Sequence, residues 1–286
     1  MSYQPKALSR ALLAAALTAA LCAGATATAL PAAAAETKLR VVQHNTDQIP
    51  ERWNDVLKLA GDNDVLLAEE VCEASYETAK AAHPNWTFSF HRQKQTTAGN
   101  AAAVCPTSAD GTTWKGLVAV HSGAGTTTDV NFFGDEVNKA KGQTFGMACV
   151  KFRKDGNKVN ACATHLQAYG DDVDADRTEQ TQKIKNITKR WIHDGISVVV
   201  GGDFNTGPQT EAMTNMYQYN GEGKFVEAHQ LQTGKAARAG VDTVDGRKID
   251  YVFFSAKQTP LKSGGTFQVD RVKDGHAILT ATANIK

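Results

Sequence analysis

The stretch VVVGGDFN, residues 198–205, ends a run of valines in two glycines, a carboxylate and a carboxamide. Asp203 and Asn205 are two residues apart, and in an extended segment such residues face the same side. A carboxylate and an amide directed at one point could hold a metal ion, an attacking water or a phosphate. Asp, Asn and Gly are also ordinary turn residues, so the stretch alone leaves a turn and a functional site open.

Polar residues also end other apolar runs of the chain. LRVVQHN ends at Asn45, KVNACATHL contains His165 near its end, and DVLLAEEV carries two adjacent glutamates. Adjacent residues of a strand face opposite sides, so at most one of Glu69 and Glu70 should enter a given site. Ligand sites in α/β folds gather where strands end. The following residues are therefore expected to share one site: Asn45, Glu70, His165, Asp203 and Asn205.

The elements that position these residues alternate between strands and helices. Apolar runs predict strands at 39–45, 64–71, 158–166, 196–205, 248–255 and 276–285. Pro50 suits the first turn of one helix. Asp176 with Glu179 resembles the capping box of a second helix, which should end at Gly195. Each half of the chain thus contains a strand–helix–strand unit, which indicates an α/β protein whose sheets are covered by helices.

The polar set combines two kinds of chemistry. Oxygen donors that suit Mg²⁺, Mn²⁺ or Ca²⁺ are Asn45, Glu70, Asp203, Asn205 and Asp250. His165 and His276 suit acid–base chemistry near neutral pH. Phosphodiester hydrolysis uses both, because a metal neutralises phosphate charge while side chains move the protons.

The first 35 residues predict a secretory signal peptide. Lys6 and Arg10 precede an Ala/Leu-rich run, and Ala33–Ala35 offers an A-x-A cleavage site. The run is long enough for a membrane helix, but its alanine content and the small residues after it favour cleavage near Ala35. Residues 36–286 should then form a single secreted domain with no stable membrane insertion.

The charge balance of the mature chain argues against a strongly basic nucleic-acid binder. Without Lys6 and Arg10, the chain has 29 basic and 30 acidic residues. A local basic cluster remains in the sequence, at Lys235, Arg238, Arg247 and Lys248. It could be a DNA-contacting loop or a solvated loop, and both interpretations stay open.

Four cysteines remain once Cys22 is removed with the leader, and an even count in an exported chain predicts two disulfides. GMACVKF and VNACATHL flank the turn-like RKDGNK, which predicts a hairpin that brings Cys149 next to Cys162. The other predicted pair is Cys72–Cys105. The spacing of the four is unlike that of a zinc site.

Six motifs, in this order, resemble the endonuclease/exonuclease/phosphatase superfamily, which includes pancreatic-type DNases, abasic-site endonucleases, inositol phosphatases and bacterial sphingomyelinases. They are VVQHNT, DVLLAEEV, ATHLQA, GGDFN, KIDYVFFS and the terminal GHAIL, and they span about residues 39–285. The resemblance implies an α/β fold of the DNase I type, a four-layer sandwich with two central, mainly antiparallel sheets flanked by helices. It also implies a phosphodiesterase that uses Mg²⁺, with Mn²⁺ or Ca²⁺ as alternatives.

The resemblance assigns catalytic roles to five positions. Asp203 and Asn205 match the pair that positions the attacking water and the scissile phosphate. His165 matches a histidine near the leaving group. Asp250 matches the acid that hydrogen-bonds the catalytic histidine, and His276 matches that histidine.

The resemblance also assigns a metal side. Asn45 and Glu70 match its Asn and Glu, and Asp47 lies where some members carry a second acid. The chain departs from the pattern at one position. Family members usually end in Ser-Asp-His, but here Gly275 precedes His276, so the acid that contributes to the metal side is missing. Metal affinity and metal number are the properties that this departure affects.

The leading functional hypothesis is a secreted, metal-dependent nuclease that acts on DNA as a monomer. The first alternative is a sphingomyelinase-like lipid phosphodiesterase, because THLQA followed by Arg177 and by Gln180 or Gln182 resembles that branch. Against it, the sequence has no aromatic-rich apolar hairpin that would enter a membrane surface. A phosphomonoesterase and a catalytically weak binding scaffold are further alternatives.

Overall fold

The computed structural model describes residues 37–93, 105–133, 144–169 and 172–286. The expected signal peptide lies outside these residues. The described strands are β1 (Thr37–Asn45), β2 (Val65–Cys72), β3 (Thr87–Gln93), β4 (Lys115–His121), β5 (Thr126–Asn131), β6 (Gly146–Lys154), β7 (Asn157–His165), β8 (Ser197–Asp203), β9 (Phe225–Glu227), β10 (Asp250–Ser255), β11 (Gly265–Asp270) and β12 (Ile278–Ile285). The described helices are α1 (Pro50–Lys58), α2 (Glu73–Ala82), α3 (Val173–His193), α4 (Glu211–Thr214) and α5 (Ala228–Thr233).

The strands form two six-stranded sheets with equivalent layouts. The first sheet has the order β11-β12-β1-β2-β4-β3, and the second has the order β5-β6-β7-β8-β10-β9. The central pair of each sheet, β1–β2 or β7–β8, is parallel, and every other pair is antiparallel. The two mainly antiparallel sheets and the α/β class that the sequence predicts are therefore confirmed.

Alternation along the central strands explains the layering. Val41 points into the core between the two sheets, while Val42 packs outward with Trp53 and Val56 of α1. Val199 likewise faces the other sheet, while its neighbours on β8 pack against Ile184 of α3. Because both faces of these strands are covered, their sequences are continuous apolar runs. None of the described helices is long and apolar enough to cross a membrane.

The two sheets approach closely at Gly201. A Cβ atom at this position would lie 2.8 Å from Cδ1 of Leu67 and 3.4 Å from Cγ of Gln43, both in the opposite sheet. A larger residue here would therefore require the side chain of Leu67 to shift. The sequence left a turn or a close approach open for this pair of glycines, and since both lie inside β8, close approach is the explanation.

The parallel central pairs set the position of the polar strand ends. In the first sheet Asn45 is paired with Glu69, and in the second His165 is paired with Asp203. Parallel neighbours end at the same edge of a sheet, so these polar residues gather at one edge of the sandwich.

Both predicted disulfides are present. Cys149 and Cys162 are register partners on the β6–β7 hairpin, with Cα atoms 4.1 Å apart. Cys72 and Cys105 are also bonded, with Cα atoms 5.2 Å apart.

One local prediction is wrong. Helix α3 begins at Val173, three residues before the predicted cap, and Asp176 is a buried first-turn residue rather than an N-cap. The amide of Asp176 donates to the carbonyl of Asp172, so the first turn is already closed there. Acidic residues at 174 and 176 suit the positive end of the helix dipole, which is the local reason for the earlier start.

Candidate active site

Strand ends from both sheets meet at a cleft of about 450 Å³. Seven of the eight predicted site residues line it: Asn45, Asp47, Glu70, His165, Asp203, Asn205 and His276. The eighth, Asp250, is fully buried behind His276. The structure thus brings together the eight predicted catalytic and metal-site residues, although they span more than 230 positions of the chain.

One carboxylate oxygen, Oδ2 of Asp203, lies at the centre of the cleft. Nδ2 of Asn45 donates to it at 3.2 Å. Nε2 of His165 lies 3.6 Å from it and Nε2 of His276 lies 3.8 Å from it. Burial, and after it the nearby charge of Asp250, raises the pKa of Asp203 above its ordinary value.

Asn205 reaches the site through a turn rather than through strand alternation. Strand β8 ends at Asp203, and Asn205 has a positive φ of 51°. Its amide N–H donates to Oδ1 of Asp203 at 2.7 Å, and its side-chain Nδ2 donates to the carbonyl of Leu166 at 3.0 Å. The expectation of an extended segment is therefore wrong here, and the turn and the site coincide.

His276 and Asp250 form a hydrogen-bonded pair. Nδ1 of His276 lies 3.0 Å from each carboxylate oxygen of Asp250. Burial acts to lower the pKa of His276, but the hydrogen bond and charge of Asp250 outweigh it and raise the pKa to about 9. The imidazole is therefore protonated at neutral pH, and its Nε2–H faces the cleft.

The pKa of His165 is shifted in the opposite direction. The side chain is buried, and burial lowers its pKa to about 4, so this imidazole is neutral at physiological pH. Its Nδ1 lies 3.9 Å from Oε1 of Glu70 and has no hydrogen-bond partner among the described residues. The cleft therefore holds one charged and one neutral imidazole on either side of Asp203.

The two adjacent glutamates have different environments because β2 carries a bulge. The register with β4 shifts between Ala68 and Val71, and Glu70 has a positive φ of 53°. Glu70 enters the cleft, whereas Glu69 is fully buried and accepts from Nε2 of Gln43 at 2.6 Å. Burial raises the pKa of Glu69 well above its ordinary value and so favours the protonated form of this carboxyl.

The carboxylate of Glu70 is already paired. Nζ of Lys115 lies 2.7 Å from its Oε2, and Nε2 of Gln48 donates to the same oxygen at 3.0 Å. Burial acts to raise the pKa of Glu70, but Lys115 and His165 outweigh it, and the pKa lies below its ordinary value. Glu70 is therefore ionised throughout the physiological range.

Asp47 is also paired. It forms an ion pair with Arg52, and its Oδ1 lies 3.8 Å from Nε2 of His276. Its amide N–H donates to Oδ1 of Asn45 at 3.0 Å, and its positive φ of 50° turns the chain into the cleft. Burial raises the pKa of Asp47, and His276 and Arg52 oppose that effect.

Gly275 lies directly against Arg52. A Cβ atom at this position would lie within 3.0 Å of Nη1, Nη2 and Cζ of the guanidinium. Nη2 of Arg52 also donates to the carbonyls of Lys273 and Asp274, at 3.3 and 3.1 Å. The side chain of Asp274 is 85% exposed, so it faces away from the site as expected.

The donor set decides where a divalent cation could bind. Asn45 and Glu70 line the cleft and offer oxygen atoms, which are the ligands that Mg²⁺ prefers. The ligand atoms of Asp203, Asp250 and His276 also lie within 4.8 Å of one another, but Asp250 and His276 are engaged with each other. The residues therefore fit one cation near Glu70. They do not fit a second at Asp47, where Arg52 lies.

The predicted basic cluster does not form one face. Arg238 is buried and donates to the carbonyls of Pro208, Thr210 and Asn220. Lys248 is buried in an ion pair with Glu227, at 2.6 Å. Lys235 and Arg247 are exposed, and only Arg247 of the four lines the cleft.

Sequence reasoning missed several cleft residues. They include Gln93, Lys115 and Tyr169. Gln48 and Arg52, which bind Glu70 and Asp47 without lining the cleft, were also missed. The apolar run GLVAV at 116–120 could have identified β4 and placed Lys115 at its start. No comparable signal points to Arg52, which lies in the predicted helix that follows Asn45.

Comparison with protein-family models gives no match, and comparison with curated proteins gives none. Solved structures do match. Truncated TDP2 of Caenorhabditis elegans is 13% identical over 86% of this chain and 97% of that chain, with a TM-score of 0.60. The catalytic domain of human Nocturnin, solved with a bound sulfate anion, is 16% identical over 87% and 94%, with a TM-score of 0.59.

A bacterial structure gives the same result. An endonuclease/exonuclease/phosphatase from Bacteroides vulgatus is 14% identical over 87% of this chain and all of that chain, with a TM-score of 0.57. At these identities the likeness concerns the fold, and it extends over nearly all of the described residues. The chain therefore shares the fold of these structures, one of which is an endonuclease/exonuclease/phosphatase, and this is the fold that the order of its motifs predicts.

Proposed function

We propose that the protein is a secreted, divalent-metal-dependent phosphodiesterase that hydrolyses DNA. The observation that carries the proposal is the position of Asp203, whose carboxylate lies between a neutral His165 and a protonated His276. A base beside a charged acid, in a cleft that offers ligands for one divalent cation, suits the attack of water on a phosphodiester.

In this proposal Asp203 orients the attacking water and accepts its proton. Its raised pKa brings it closer to neutral pH, where a general base works best. The charged His276 stabilises the phosphate and supplies a proton to the leaving oxygen, and Asp250 fixes its orientation. A divalent cation held by Glu70 with Asn45 would neutralise phosphate charge.

Two further residues position the phosphate. The neutral imidazole of His165 lies between Asp203 and Glu70, where it can hydrogen-bond a phosphate oxygen. Asn205 is fixed by its two hydrogen bonds beside Asp203 and lines the same cleft. These roles complete the set that the sequence motifs predict.

The rim of the cleft favours a nucleic acid over a lipid. Tyr169 lines the cleft and is 88% exposed, which suits stacking on a base. Its segment is held in place, because Arg177 donates to the carbonyls of Gln167 and Ala168 at 2.7 and 2.9 Å. Nε2 of Gln167 donates to the carbonyl of Tyr169 at 2.7 Å.

The residues that motivated the lipid alternative have structural partners. Oε1 of Gln180 accepts from the amide of Gln167 at 2.9 Å, and Arg177 holds the same segment. Both therefore support the loop that carries Tyr169, whatever the substrate. Two disulfides agree with an exported protein, as the expected signal peptide does.

The test is nicking of supercoiled plasmid by the oxidised mature protein with Mg²⁺, Mn²⁺ or Ca²⁺, beside a chelator blank. Asp203→Asn should reduce nicking by about 10²- to 10⁴-fold, because it removes the base. The matched control is Asp194→Asn at the exposed end of α3, which should nick normally. Metal-dependent release of phosphocholine from sphingomyelin without nicking would instead support the lipid phosphodiesterase.

A further inference from the structure

We propose that two cations of the chain itself, Lys115 and Arg52, occupy the metal side of this site. A divalent cation then binds by displacing Lys115 from Glu70, and Arg52 excludes a second ion from Asp47. The inference deepens the proposed function and rests on it for its biological meaning. It concerns metal binding to the free protein, which can be measured without any substrate.

Lys115 competes for the oxygen that a cation would use. Its Nζ lies 2.7 Å from Oε2 of Glu70, and the side chains are only 17% and 16% exposed. Cys72 and Lys115 are register partners on β2 and β4, so the lysine begins its strand next to the bulge that turns Glu70 into the cleft. An ion at Glu70 would lie close to this ammonium, and the two positive charges would repel each other.

Once a divalent cation displaces it from Glu70, Lys115 can take a second position in the cleft. Lys115 lines the same cleft as Asp203 and Asn205, where the scissile phosphate is proposed to lie. An ammonium on a flexible four-carbon stem can move from a carboxylate to a phosphate without a change in the backbone. Metal binding and phosphate binding by Lys115 would therefore favour each other, because the ion frees the lysine.

Arg52 cannot move as easily. Its side chain is 13% exposed, and it is held by Asp47 and by the carbonyls of Lys273 and Asp274. A guanidinium stays charged at any physiological pH, so it permanently neutralises Asp47. It also fills the space in which a side chain at position 275 would begin. A side chain at position 275 could therefore be accommodated only if the guanidinium of Arg52 moved.

The experiment is a titration of metal-free protein with Mn²⁺, in which free Mn²⁺ is read by electron paramagnetic resonance. The wild type should bind one ion. Lys115→Met should bind one ion about tenfold more tightly, since a residue that contacts a metal ligand typically changes affinity by about 10- to 100-fold. The matched control is Lys154→Met, which removes a similar ion pair with Asp64 far along the strands from the cleft, and should bind as the wild type does.

A second pair of variants tests Arg52. Gly275→Asp alone should lower the melting temperature without adding an ion, because the new side chain collides with the held guanidinium. The double variant Arg52→Ala/Gly275→Asp should recover stability and bind a second Mn²⁺. Retained stability together with a second ion in Gly275→Asp alone would overturn the role of Arg52.

Equal Mn²⁺ affinity of the wild type and Lys115→Met, including no binding by either, would overturn the role of Lys115. These outcomes are independent of the substrate. Tighter binding by Lys115→Met together with a failure to nick DNA would refute the proposed nuclease and leave the displacement standing. Normal nicking of DNA together with an unchanged Mn²⁺ affinity in Lys115→Met would support the proposed nuclease and refute the displacement of Lys115.

Discussion

Asp203 and Asp250 lie directly opposite each other on the antiparallel strands β8 and β10, so two buried carboxylates share one end of the second sheet. A single side chain, His276, contacts both, at 3.8 Å from Asp203 and 3.0 Å from Asp250. The pairing adds to two pKa shifts, although burial is the larger cause of the shift of Asp203. The second carboxylate raises the pKa of Asp203, and both carboxylates raise that of His276.

The first prediction concerns the alkaline side of the pH–activity profile. In Asp250→Asn the hydrogen bond and charge that raise the pKa of His276 are lost, so this pKa should fall from about 9 to about its ordinary 6.5 or below. Activity that needs the charged imidazole should then decline at lower pH than in the wild type. The pH profile of kcat/KM and the NMR titration of His276 measure the shift. Asp270→Asn, at the exposed end of β11, should leave both unchanged.

The second prediction concerns Glu69, whose pKa is raised in the folded protein above the ordinary 4.5. The folded state then binds a proton that the unfolded state releases, so stability is lost as pH rises above 4.5. Glu69→Gln removes this loss and keeps an amide oxygen for Gln43. Its free energy of unfolding should exceed that of the wild type at pH 8.

Measuring the stability of Glu69→Gln at two pH values separates this protonation effect from a change in packing. Urea denaturation should show the gain of Glu69→Gln at pH 8 and little gain below pH 4.5, where Glu69 is protonated in both states. The control Glu51→Gln, on the exposed side of α1, should show no gain in stability at either pH. A gain of the same size at both pH values would contradict the protonation of Glu69.

The third prediction concerns Tyr169. Base–aromatic stacking is worth about 1–3 kcal/mol per base, so Tyr169→Ala should raise the KM for single-stranded DNA about tenfold. Tyr169→Phe keeps the ring and should retain the wild-type KM. Hydrolysis of bis(p-nitrophenyl) phosphate, which carries no base, should be unaffected by either change. Equal losses on both substrates would show that Tyr169 acts on the catalytic groups instead.

The fourth prediction separates two arginines that lie close in sequence. Arg247→Ala should weaken DNA binding and reduce its dependence on salt, because Arg247 is exposed at the cleft. Arg238→Ala should instead cost about 3 kcal/mol of stability, because it leaves buried carbonyls without their donor. Filter binding across salt concentrations measures the loss in Arg247→Ala, and thermal unfolding measures the loss in Arg238→Ala. The control Lys235→Ala should leave stability unchanged.

Much of the fold could be predicted from the sequence because its central strands are covered on both faces. Burial on two sides makes such strands continuous apolar runs, and the runs ending at Asn45, His165 and Asp203 match β1, β7 and β8. Strands β3, β4, β5, β9 and β11 were not predicted from the sequence. Of these, β5 is largely polar and β9 has only three residues.

The site could be predicted only in part for a different reason. Residues at strand ends are positioned by the sheet, so Glu70 and Asp203 could be placed from their neighbours in sequence. Arg52 and Lys115 reach the site with long side chains, and their partners depend on contacts that no local pattern encodes. Lys248 shows the same limit, because only the fold reveals that Glu227 neutralises it.

The two sheets approach each other closely at Gly201, so the packing between them affects the geometry of the candidate active site. Asn45 and Glu70 belong to one sheet and His165 and Asp203 to the other, so the gap between the sheets sets the width of the active site. A methyl group added at Gly201, two residues before Asp203, would push against Leu67 of the opposite sheet. If the proposed hydrolysis is correct, its turnover should therefore respond to interior substitutions that do not contact the substrate.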